Sequence, residues 1–150
     1  MGIVNRTPDS FFDGGTYLDD DAARVRVEQL LRDGADIIDI GAESTRPGAS
    51  SVDAIAQIER LGPVIEYVVH QGARASVDTT LPEVAAYALA HGASMINSVA
   101  LGPAAELAAL AAEHDAELVL THCRGSMTEM EGFSEYGDDA YTDVIDDVAT

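Results

Sequence analysis

Polar residues follow one apolar run after another in this chain: Asn5 after MGIV, Asp39 with Glu43 in DIIDIGAE, Asp78 in ASVD, Asn97 in SMIN and His122 in ELVLTH. Carboxylates and amides so placed can offer hydrogen-bond donors and acceptors side by side to a ligand at one face. Arg46, in the loop AESTRPGASS, adds a planar guanidinium fork that can meet phosphate or carboxylate through two parallel hydrogen bonds. A second loop, NRTPDSFFDGG, is rich in turn formers yet carries Phe11 and Phe12 in succession. One ring can anchor the loop in the core, or the loop can close over a ligand. Asp13 in the same loop reads as a solvated turn residue.

Other reactive side chains read as structural. His70, His91 and His114 fall near predicted helix C-termini, where the helix dipole favours a charged imidazole. His122 and Cys123 are adjacent on a strand end and so point to opposite faces, which argues against a shared metal. Cys123 reads as a small buried thiol, and His122 as a possible lining of a pocket. The acids from Asp138 to Asp147 fit the solvated side of a last helix.

These positions need a scaffold, and the chain repeats one. RDGADIIDIG, HQGARASVDTT, AHGASMINSVA and EHDAELVLTHC share a turn, a short apolar run and a polar end, with MGIVN as a shortened first copy. Between them lie helical patterns. DDDAARVRVEQLLRDG has acids in its first turn, Arg32 in its last and Gly34 as its stop. Asp53 to His70 has Ile55, Ile58, Ile65 and Val68 at helical spacing, although Gly62-Pro63 is expected to kink or divide it. Leu81-Pro82 opens a third helix, GPAAELAALAAEHD forms a fourth, and Tyr141, Val144, Ile145 and Val148 outline a fifth. The apolar runs between helices are too short for helices themselves and suit buried parallel strands.

Five βα units imply parallel strands with right-handed crossovers. A glycine-rich phosphate loop after the first strand is absent, and the polar residues cluster at the strands' C-terminal ends, so a (β/α)8 barrel is favoured over the dinucleotide-binding fold. A full barrel takes eight units. Residues 1–150 are therefore expected to form one partial barrel domain, the N-terminal part of a longer one.

Composition narrows the partners. With 47% hydrophobic residues the chain can bury a core, and eight Arg and Lys against 27 Asp and Glu give a net charge of −19. Such a surface repels nucleic acid. An anionic substrate would need locally placed arginines or a divalent cation. No apolar run is long enough to span a membrane, no leader precedes the first strand, and a single cysteine allows no internal disulfide, so a cytoplasmic protein is expected.

The order and spacing of MGIVNRTPDSFFDGG, GADIIDIGAESTRPGA, SVDTTLPEVAAYAL, GASMINSV and HCRG resemble dihydropteroate synthase across essentially the whole chain. The resemblance implies a (β/α)8 barrel enzyme that condenses 6-hydroxymethyl-7,8-dihydropterin pyrophosphate with p-aminobenzoate, giving 7,8-dihydropteroate and pyrophosphate in folate synthesis. It further implies that Asp78 and Asn97 bind the pterin, although Asp78 could instead cap the following helix. Asn5 would stand beside Mg2+ and pyrophosphate. Phe11, Thr45, Arg46 and Pro47 would meet the p-aminobenzoate, with Arg46 and Asp13 as the catalytic residues of the closed loops and a homodimer as the full-length assembly. No general base is assigned.

Three positions depart from that pattern. Arg6 replaces a small apolar residue and is expected to offer an extra anion contact. Ala42 stands in place of glycine, costing backbone freedom, and Ser98 in place of aspartate, which either weakens pterin binding or loosens a supporting bond. The units beyond residue 150, which in the family supply a further aspartate, a lysine, an arginine and a histidine, are missing, so the chain alone is not expected to turn over. A pterin-dependent methyltransferase on the same barrel and a non-catalytic pterin-binding paralogue are the alternatives. TPDSF and ESTRPGA argue against the first, and the intact STRPG loop against the second.

Overall fold

Two of the helices begin at an aspartate cap, and a third opens on proline. The computed structural model describes residues 1–7, 19–43, 51–99 and 102–121. Helix α1, Asp20–Arg32, starts at Asp19, whose carboxylate accepts from the Asp21 and Ala22 amides, and just beyond its end Gly34 adopts a positive φ of 92°. Asp53 caps α2, Ala54–His70, by accepting from the Ala56 amide. Pro82 opens α3, Pro82–Ala90, in the first turn, where its missing N–H costs nothing. Helix α4 spans Ala104–Glu113. His70, His91 and His114 lie at the C-terminal ends of α2, α3 and α4, as expected, and the His91 ring stacks on Tyr87.

Of the two outcomes expected at Gly62-Pro63, division does not occur: α2 runs through as one helix. Proline inside a helix costs about 3 kcal/mol, whereas each fully buried aliphatic side chain contributes roughly 1.5–3 kcal/mol. Leu61, Val64, Ile65 and Val68 are all completely buried on α2, so packing outweighs the proline. Gly62 has a different purpose from a helix stop: a Cβ there would lie 2.7 Å from the Tyr87 hydroxyl, so glycine lets α3 approach closely.

The strands β1 (Gly2–Asn5), β2 (Ile37–Gly41), β3 (Arg74–Asp78), β4 (Met95–Ser98) and β5 (Glu117–Leu120) form one parallel sheet in sequential order. Sequential order in an all-parallel sheet is that of a (β/α) barrel wall; a doubly wound sheet reverses direction. Strand alternation sorts the side chains. Val4, Ile40, Val77, Ile96 and Leu118 stand in register and pack with the helices, joining Val27, Leu61, Ile65, Val84 and Leu107 in one core. The opposite face carries Asn5, Asp39, Ser76, Asp78, Met95 and Asn97, together with the exposed Ile3 and Val119. Among the described residues no helix is long and apolar enough to cross a membrane. The expected fifth helix, around Tyr141 to Val148, lies outside the described residues.

Candidate functional site

Pairing across the sheet puts Asn5 opposite Gly41, Gly41 opposite Asp78 and Asp78 opposite Asn97. Because laterally paired residues of a parallel sheet face the same side, these four positions form a single row at the C-terminal edge. Glycine leaves a gap in that row. A Cβ at Gly41 would stand 3.4 Å from Asn5 Oδ1 and 3.6 Å from Asp78 Oδ2, so the two side chains converge over the bare backbone.

One layer below, Asp39 pairs with Ser76 in the same register. The Ser76 hydroxyl donates to Asp39 Oδ1 at 2.5 Å, and Asn97 Nδ2 donates to Asp39 Oδ2 at 3.3 Å. Asp39 is only 6% exposed and Ser76 is fully buried, so the charge of Asp39 is held by neutral donors rather than by water. The consequence falls on Asp78. Burial, then the nearby carboxylates of Asp39 and Glu43, push its pKa from 3.8 up to about 7. A carboxyl poised near neutrality at a strand end, beside an amide whose orientation is fixed from below, is suited to reading a polar heterocyclic edge.

A second buried network flanks the row. Glu43 Oε1 accepts from the Val52 amide at 3.2 Å, and Glu43 Oε2 accepts from Gln57 Nε2 at 3.0 Å. Gln57 Nε2 also donates to the Val52 carbonyl at 2.9 Å, while Gln57 Oε1 accepts from the Thr79 hydroxyl at 3.1 Å. Thr79 Oγ1 in turn accepts from the Leu81 amide, just before α3 begins.

The structure thus brings together Asn5, Asp78 and Asn97. Asp78 does not cap α3; Leu81 occupies the N-cap position and makes no side-chain cap bond. Phe11, Phe12, Asp13, Thr45, Arg46, Pro47, His122 and Cys123 lie outside the described residues.

Arg6, expected as an anion contact, is 4% exposed and its Nη1 pairs with Asp20 Oδ1 at 2.6 Å, tying the end of β1 to the first turn of α1. Ala42 does not have the positive φ that would demand glycine: Asp115 alone has one among the described non-glycine residues. The Ala42 carbonyl accepts from Arg60 Nη1 at 3.0 Å. Ser98 is fully buried and, one residue after Asn97 on a strand, faces the opposite side from the polar row.

Gln57, Ser76 and Thr79 were not singled out from sequence. Gln57 did leave a signal: it lies at i, i+4, i+7 and i+11 spacing with Leu61, Val64 and Val68, a lone amide on an apolar stripe.

A family model described as pterin binding enzyme matches residues 1–150. The dihydropteroate synthase of Synechocystis sp. is 41% identical over 140 residues, which cover 92% of this chain and 48% of that protein. That of Streptococcus pyogenes serotype M1 is 47% identical over 124 residues, covering 81% and 47%. Among solved structures, the Yersinia pestis dihydropteroate synthase in a sulfonamide drug complex matches with a TM-score of 0.84 at 35% identity, over 99% of this chain and 52% of that one. The Xanthomonas albilineans dihydropteroate synthase with 4-aminobenzoic acid matches with a TM-score of 0.71 at 44% identity, over 83% and 46%. The chain spans about half the length of the curated relatives it matches.

Proposed function

The chain belongs to the pterin-binding enzyme family, and from that premise we propose that it supplies the N-terminal part of a dihydropteroate synthase. In this reading residues 1–150 are one portion of the barrel domain and carry the floor of the pterin site. The observation that carries it is the row Asn5, Gly41, Asp78 and Asn97 in register at the strand ends, with Asp39 bonded beneath it.

Asp78 accepts from ring N–H donors of the pterin. Asn97 gives one amide hydrogen to Asp39, which fixes the plane of the amide and leaves its Oδ1 and second hydrogen for the ligand edge. Gly41 keeps the space over the strand clear. The reaction is a displacement at the pterin methylene: the bond from that carbon to the pyrophosphate oxygen breaks, the amine nitrogen of p-aminobenzoate forms the new C–N bond, and one N–H proton is lost to solvent. The aromatic amine is neutral at working pH, so no residue is needed to deprotonate it beforehand. Arg46, Thr45, Pro47 and Phe11 are assigned to the p-aminobenzoate side and Asp13 to the loops, on the strength of the STRPG and TPDSF motifs.

Mg2+ fits the donor set at Asn5. Among the described residues no three His, Cys, Asp or Glu side chains are arranged to hold a metal ion; Asn5 offers one hard amide oxygen beside Gly41. Magnesium is commonly held in that way, by few side chains plus phosphate oxygens and water. When bound, it would neutralise charge developing on the leaving pyrophosphate.

The test is release of pyrophosphate from the pterin pyrophosphate by the protein as its gene encodes it. Release that depends on p-aminobenzoate is expected. Pterin binding with no release in its presence would overturn the synthase reading.

A further inference from the structure

Asp39 is a buried carboxylate whose two hydrogen-bond partners, the Ser76 hydroxyl and the Asn97 amide, are both neutral. Among the described residues no cation pairs with it, although Arg6, Arg24, Arg32 and Arg74 each pair with another carboxylate. Taking an anion out of water without a counter-charge is strongly unfavourable. An amide of the same shape would hold Asn97 equally well: its oxygen would accept from Asn97 Nδ2, and its nitrogen would donate to Ser76, because a hydroxyl takes either role. The clamp on Asn97 therefore does not account for the charge.

Its placement does. Asp39 lies two residues before Gly41 on β2, on the same face and so about 6.5 Å below the polar row. Gly41 has no side chain, so nothing on β2 stands between the carboxylate and the space that Asn5 and Asp78 border. We propose that Asp39 supplies a fixed negative charge beneath the pterin ring and stabilises the positive charge that develops there as pyrophosphate departs. When the C–O bond breaks, its electron pair leaves on the pyrophosphate oxygen. The methylene carbon becomes electron-poor and draws on the lone pairs of the ring nitrogens. The amine nitrogen of p-aminobenzoate then supplies the pair for the C–N bond and loses one proton to solvent. A buried anion held by fixed dipoles favours that cationic state over the ground state, without reorganising. Asp39 touches no reacting atom; it acts through space. The inference rests on the synthase reading.

The experiment compares Asp39→Asn with wild type in the protein as encoded, at pH 8. Losing the Asp39 charge brings the pKa of Asp78 down from about 7, so Asp78 is largely ionised at this pH in both proteins. The expected result is a Kd for the pterin pyrophosphate within about threefold of wild type, because the bonds to Asn97 and Ser76 persist, and pyrophosphate release from the saturated enzyme slower by about 100-fold or more. A second measurement needs no turnover and uses a ring-N-methylated, permanently cationic dihydropterin beside its neutral parent. The variant is expected to lose about tenfold or more in affinity for the cation and about threefold or less for the neutral compound. An unchanged release rate, or a rate and a Kd that worsen by the same factor, would overturn the proposal, as would equal losses of affinity for the two dihydropterins. Should the wild type bind both compounds yet release no pyrophosphate in the presence of p-aminobenzoate, the synthase reading fails. The two affinities then decide by themselves whether the charge beneath the ring favours a cation.

Discussion

Replacing Asp78 by asparagine is expected to make the folded protein more stable at pH 8, and to leave its stability nearly unchanged at pH 4. The pKa of Asp78 stands at about 7 in the fold against an ordinary 3.8, because the group is largely buried and faces the carboxylates of Asp39 and Glu43. Below pH 3.8 the side chain is protonated whether the chain is folded or not. As the pH climbs from about 4 to 7, the unfolded chain gives up this proton while the folded one keeps it, so the fold loses stability; above about 7 the whole cost stands. A shift of roughly three units corresponds to about 4 kcal/mol, and since asparagine must itself be desolvated, a net gain of about 3 kcal/mol at pH 8 is expected. Urea unfolding midpoints of the two proteins at the two pH values would measure it, and an equal difference at both would refute the assignment. A strand end that lowers the stability of its own fold at working pH is the signature of a group kept for binding.

Asp39→Ala should act in the opposite direction. Asp39 is the common acceptor of the buried Ser76 hydroxyl and of the Asn97 amide. Removing it leaves a buried hydroxyl without that partner and lets the Asn97 amide turn, at about 1–3 kcal/mol for each orphaned donor. One term opposes this. Asp39 is among the charges that raise the Asp78 pKa, so its loss brings that pKa down and recovers part of the stability at neutral pH. A net loss of about 2 kcal/mol is expected by denaturant titration, together with pterin affinity lower by 10-fold or more. A midpoint for the pH dependence of pterin binding that moves to more acid pH would report the change at Asp78. A variant with unaltered stability and unaltered midpoint would show that Asp39 is neither the clamp of Asn97 nor the neighbour of Asp78.

The elements were legible because their signals are local and repeated. Apolar runs with polar ends marked five strands, and the acids of the first turn of α1, the apolar spacing in α2 and Pro82 in α3 marked helices. Asn5, Asp78 and Asn97 could be chosen because each ends its apolar run, and the register then set them side by side. What escaped depends on partners distant in sequence. The continuity of α2 through Pro63 follows from how much aliphatic surface is buried around it, and Gly62 is explained only by Tyr87, which belongs to another helix. Arg6 stood out as a departure from the family pattern, but its pairing with Asp20, fourteen residues further on, is visible only in the fold. Likewise Gln57 could be noticed as a lone amide on an apolar stripe, but its purpose appears only when Glu43 and Thr79 meet it.

The central claim is that the row at the strand ends is the floor of a pterin site. Calorimetric titration of the pterin pyrophosphate into the protein as encoded, at pH 8, tests it most directly, with Asp78→Asn and Asn97→Ala alongside the wild type. The expected result is one site per chain in the wild type, and an affinity lower by at least 100-fold for Asp78→Asn and at least 10-fold for Asn97→Ala, with both variants folded. Equal affinity in all three proteins would contradict the claim and move the pterin away from this row.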